Sequence, residues 1–167
     1  KMLGNHSTLI SFRQKVKSSA TIRTFYKYTQ NTMKKAFDII IKVILSLLIF
    51  IPILGVTGIF PEPTKEMYTN AEAFNFISIL MESKYIVMIN AVVFALALVC
   101  LWTKRVALAA ILILPISINI VGFHAFLDGG IFTEGAVMGN VLLLINIYLL
   151  WQKRKNFSNL LKGDLKA

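Results

Sequence analysis

The sequence predicts an all-α membrane protein: a four-transmembrane-helix bundle with a short amphipathic helix in its first outer loop. Three observations carry this. Of the 167 residues, 56% are hydrophobic and the mean hydropathy is +0.69. A soluble domain sits nearer ~45–50% apolar, because it must cover its surface with polar groups. Apolar runs of about 17–25 residues recur along the chain, the length needed to cross a hydrocarbon core of about 30 Å. Finally, basic segments (1–35, 103–105, 152–167) alternate with acidic loops (61–84, 127–134), as the positive-inside rule requires of a multi-pass protein with both termini in the cytoplasm.

The first segment, residues 1–35, has eight basic residues and no acidic ones, with apolar residues scattered as in Ile22, Phe25, Tyr26 and Met33. It reads as a solvated cytoplasmic segment able to lie on anionic lipid. It is not a signal peptide, since the apolar run that follows is too long and ends in no cleavage pattern. The chain opens Lys1-Met2, so Met2 and Met33 are both candidate starts.

The transmembrane domain, residues 36–151, follows. Its first span is expected over about residues 36–60, with Asp38 and Lys42 near its inner end, Pro52 as a kink, and Gly55 and Gly58 allowing close approach by a neighbour. Pro61 and Pro63 should end it. In the loop 61–84, Thr69-Asn-Ala-Glu72 has the form of a capping box. A short helix should follow it, with Phe74, Ile77 and Leu80 or Met81 on one face, lying on the outer surface as a lid. The second span covers about 85–102. The turn Trp102-Thr-Lys-Arg105 is so short that the third span, about 106–127, must run antiparallel beside it. The fourth covers about 135–151 and begins with the close-packing pair Gly135 and Gly139. The basic tail 152–167 closes the chain. Trp102 and Trp151 both fall at the inner interface, as an aromatic belt would place them.

Composition also excludes functions. A net charge of +10 would suit nucleic acid if it formed one basic face, but the charges crowd the termini and one tight turn. No nucleic-acid partner is expected; the lipid bilayer is. One cysteine, Cys100, rules out an intramolecular disulfide and a self-contained dithiol mechanism. With one histidine in the spans and no Glu-x-x-His pair, neither a metal site nor a catalytic set is expected.

Polar residues inside the apolar runs mark the candidate ligand site. Hydrocarbon offers them no partner, so each needs one from protein or water. The third span contains Pro115-Ile-Ser-Ile-Asn119 and Phe123-His124-Ala-Phe126-Leu127. Asn119 and His124 lie in its outer half. Asn90 in the second span is about five residues, or roughly 7.5 Å, from the outer end, and Asn140 is equally deep in the fourth. Asn119 and His124 are separated by about 140° around the helix, so they need not line one wall. Asp128, four residues after His124, is placed to orient the imidazole. Asn119, His124, Asn90, Asn140 and Asp128 are therefore the candidate ligand-binding residues, with Asn146 nearer the midplane. The competing reading is that the asparagines are interhelical hydrogen-bonding glue.

The chain resembles the DoxX-like family of small four-span membrane proteins over about residues 40–162. The resemblance rests on the two third-span motifs above, on Lys104-Arg105-Val106-Ala107, and on the tail Trp151-Gln-Lys-Arg-Lys-Asn-Phe157. Where family members often carry a glutamate early in the second span and a glycine after it, this chain has Asn90 and Ala95. The resemblance implies subunits of quinone-reducing oxidoreductases, membrane partners of redox-protective enzymes and, more distantly, cargo receptors or assembly chaperones. The expected role is an accessory or assembly subunit in a bacterial plasma membrane, with other membrane subunits as partners. The alternatives are a redox subunit binding quinone through Asn119 and His124, and binding or transport of a small lipophilic molecule. Oligomeric state is not set by the sequence.

Overall fold

The computed structural model describes residues 4–161, with side chains over residues 25–157. The described residues form helices joined by turns, and no strand occurs among them. The chain forms two compact units, residues 1–41 and residues 42–167.

Helix α1 runs Gly4–Gly55, 52 residues. The basic segment expected as a solvated tail is thus helical from Gly4 onward. The physical reason is simple: no glycine or proline occurs between Gly4 and Pro52 to stop the helix. The first span was expected to reach residue 60, but the helix ends at Gly55. Thr57 N–H donates to Leu54 O and Gly58 N–H to Gly55 O, and Gly58 takes φ +74°. That positive φ is cheap only for glycine. Pro61 and Pro63 therefore follow a helix already ended. No helix of the described residues packs closely on Gly55 or Gly58: the nearest side-chain atom to a Cβ at Gly55 is Phe60 Cδ2 at 4.0 Å, and nothing lies within 4 Å of one at Gly58.

A single 3₁₀ turn, Lys65–Met67, leads to α2, Ala71–Ser83. The capping box does not form. Asn70 rather than Thr69 is the N-cap residue and makes no side-chain cap bond; its Nδ2 donates instead to Leu127 O. Ala73 is fully buried, Phe74, Ile77 and Leu80 are half-buried, and Met81 is exposed. Lys84 alone joins α2 to α3, Tyr85–Trp102, in a left-handed conformation at φ 59°. After the basic turn, α4 runs Val106–Phe126, then α5 Ala136–Gln152 and α6 Arg154–Leu161. Lys162, Asp164 and Lys166 of the tail lie outside the described residues.

Three helical stretches are long and apolar enough to cross a membrane: Phe25–Gly55, Tyr85–Trp102 and Val106–Phe126. Helix α5 is apolar but shorter, 17 residues. At 1.5 Å per residue it spans about 25 Å against a core of about 30 Å.

Helix α4 packs against both α3 and α5. Its buried side chains include Ala109, Ala110, Ile113 and Ser117; Phe94, Ala97 and Leu101 of α3 and Leu142 and Leu149 of α5 are buried as well. Gly139 makes the α4–α5 contact close, since a Cβ there would stand 2.6 Å from Ile120 Cγ2. Within the second unit, α1 contributes Leu45 and Ile49, both fully buried, and Trp102 Nε1–H donates to Ser46 Oγ at 3.0 Å.

Candidate functional site

His124 and Asp128 meet at the C-terminal end of α4. The i, i+4 spacing puts them on one face, and Nδ1 lies 2.8 Å from Asp128 Oδ2. A carboxylate only accepts, so Nδ1 carries the hydrogen and donates it. Both side chains are buried, Asp128 to 2% exposure and His124 to 9%. The other carboxylate oxygen, Oδ1, accepts from the backbone N–H of Thr69 at 2.8 Å. Beside it, Asn70 Nδ2 donates to Leu127 O at 2.9 Å. Asp128 therefore ties α4 to the segment that opens α2.

Backbone geometry makes this cluster fit. Gly130 N–H donates to His124 O at 2.8 Å, turning the chain back after α4. Gly129 takes φ +82°, and the Thr69 side chain rests on it, with Cγ2 only 2.9 Å from where a Cβ would be. Gly135, entering α5, lies against the imidazole: a Cβ would stand 3.2 Å from His124 Cε1 and 3.6 Å from Asp128 Oδ2. Aromatic rings seal one side. Phe123 meets the His124 ring edge-on at 5.0 Å, stacks with Phe76 at 5.9 Å and meets Tyr68 edge-on at 6.2 Å. Burial, and secondarily the Asp128 carboxylate, push the Tyr68 phenol above its usual range. The result is a satisfied polar latch joining α4, the α2 approach and the start of α5.

The other candidates lie apart from it. Asn119 is exposed, on the side of α4 shared with exposed Pro115 and Phe126, while His124 shares its side with buried Ser117. The angular separation read from the sequence places them accordingly. Asn90 is half-buried on α3. Asn140 Nδ2 donates to Ile131 O at 2.6 Å, closing the loop before α5 rather than bridging helices. Asn146 is fully buried, and neither its amide nitrogen nor its oxygen has a partner. Interhelical glue thus describes neither of these two asparagines.

No family model, curated protein or solved structure matches the chain.

The structure includes a feature that polar-residue counting along the spans missed. A cavity of about 970 Å³ opens between the end of α1, α2 and the start of α3. Its wall is apolar, with Val56, Phe60, Phe74 and Met88, and its charged groups are Glu62, Glu82 and Lys84. None of the five candidate residues lines it. The signal is in the loop 61–84, where Glu62 and Glu82 stand among apolar residues. Among the described residues, no group of three or more His, Cys, Asp or Glu is placed to hold a metal ion.

Proposed function

We propose that this chain is a four-span integral protein of a bacterial plasma membrane, with both termini in the cytoplasm and a DoxX-like plan. Its role in this reading is an accessory or assembly subunit of a larger membrane complex. The observation that carries it is the side of α1 left uncovered within the second unit. Between residues 43 and 51, only Leu45 and Ile49 are fully buried, while Val43, Ile44, Leu47, Phe50 and Ile51 are exposed. In a bilayer, helices associate by close packing and interhelical bonds, and a helix that its own chain covers so little is available to another protein.

A photo-crosslinking residue placed at Leu47 in growing cells tests this. The expected result is one recurrent heterologous membrane protein joined at Leu47, absent when the same residue replaces Leu144 on the exposed side of α5. Crosslinks to lipid alone would remove the role.

The cavity beside α2 favours a second reading, binding of a small lipophilic molecule, because its wall combines apolar and charged groups at helix ends. A quinone held jointly by Asn119 and His124 has no such support, since one side chain is exposed and the other is buried with Nδ1 committed to Asp128.

A further inference from the structure

We propose that the cleft between the end of α1, α2 and the start of α3 binds a phosphatidylethanolamine, a phospholipid whose headgroup carries a primary ammonium beside its phosphate. The inference uses the membrane placement proposed above and is independent of any accessory role.

Size and wall suit a lipid. About 970 Å³ lies in the range of ligand-binding clefts. Phe60, Met81 and Met88 offer a flexible apolar surface for the upper part of an acyl chain. The cleft sits at helix ends, where residues 55–63 leave α1 and residues 84–88 begin α3. In a bilayer that is the depth of the headgroups.

The charges select the headgroup. Glu62, Glu82 and Lys84 all line the cleft and all are exposed, and no ion pair joins them to one another. Carboxylates only accept hydrogen bonds, and a primary ammonium offers three donors. A quaternary ammonium offers none. The lysine in turn supplies donors to a phosphate oxygen.

Lys84 adds a second, independent observation. Its φ of 59° belongs to the left-handed region, where glycine is the ordinary choice. Among the described residues, the other non-glycine with positive φ is Lys104. Lys104 lies in the basic turn, on the cytoplasmic side of the proposed threading, where the positive-inside bias accounts for it. Lys84 stands on the opposite side, against that bias. An anionic phosphate in the cleft gives a lysine at this strained position a use.

The test uses the full chain reconstituted in nanodiscs of equal parts phosphatidylethanolamine and phosphatidylcholine. Each sample receives a trace of either lipid carrying a diazirine near the top of one acyl chain. Labelling of peptides containing Phe60, Met81 or Met88 should be about tenfold greater with the ethanolamine probe, which converts to about 1.4 kcal/mol. The double substitution Glu62→Gln and Glu82→Gln should bring it down to the choline level without changing the helical circular dichroism. Met88→Trp, which fills the cleft, should lower labelling by the ethanolamine probe even where the glutamates are intact. Equal labelling by the two probes would show an apolar groove only and would overturn the proposal. So would ethanolamine labelling that survives the double substitution, or label confined to the exposed faces of α3 and α5.

Discussion

Asp128 commits each carboxylate oxygen to a different partner, His124 on one side and the Thr69 amide on the other. Removing it strands the buried His124 N–H and the part-buried Thr69 N–H together, whereas removing His124 leaves the buried carboxylate one donor short. Asp128→Ala is expected to cost about 3 kcal/mol, from hydrogen bonds to a charged group, and to free the Thr69 amide, which His124→Ala leaves bonded. Thermal unfolding in detergent, with amide exchange at Thr69, checks both; an unchanged unfolding temperature for Asp128→Ala, or Thr69 exchange equally fast in the two variants, would contradict the latch. Asn146 predicts the opposite sign. A buried amide without partners costs roughly 1–3 kcal/mol, so Asn146→Leu should raise the unfolding temperature. A fall would mean that the amide is bonded in the membrane. Tyr68 supplies the pH dependence. Its folded pKa is raised above 10.0 by burial and then by Asp128. The stability carried by the neutral phenol is thus fully present below that value and lost as pH rises through the folded one. In an absorbance titration, the phenol missing from Tyr68→Phe should be one that ionises above pH 10; one ionising at or below it would be contrary.

At the scale of the element, the α4–α5 contact depends on Gly139. A methyl there would collide with Ile120 Cγ2, on a β-branched side chain with little freedom to yield. Gly139→Ala should cost about 1–3 kcal/mol, as overpacking does, while Gly122→Ala on the same pair of helices, with nothing within 4 Å, should cost far less. Comparable losses in detergent unfolding would refute close packing at Gly139. This contact was legible because two glycines four apart at the start of an apolar run have few other uses. The ends of α3 and α4 were legible too, since charge and aromatic residues mark them. The end of α1 was not, because two prolines at 61 and 63 gave a stronger local signal than the glycine turn at 55–58 that actually stops it. The capping box failed for a tertiary reason: Thr69 and Asn70 are drawn to Asp128, Gly129 and Leu127, more than fifty residues away in sequence.

Over the whole molecule, composition and charge pattern carried the membrane character, and three stretches of the structure are long and apolar enough to match it. The polar residues along the spans were less informative. Depth placed His124, Asn119, Asn90 and Asn140 at one end, but depth does not fix direction around a helix. His124 and Asp128 turn inward as a latch, Asn119 turns outward, and Asn140 serves its own loop. The cavity was hidden from a reading along the spans because three separate segments of residues 55–88 build it. The claim on which the rest depends is the threading: residues 56–84 on one side of the membrane and residues 103–105 on the other. Single cysteines placed by Glu66→Cys and by Thr103→Cys, each in a Cys100→Ser background, test it in intact cells with a membrane-impermeant maleimide. The account predicts that Glu66→Cys is labelled from outside and that Thr103→Cys is labelled only after the membrane is opened. Labelling of Thr103→Cys in sealed cells, with Glu66→Cys protected, would contradict it.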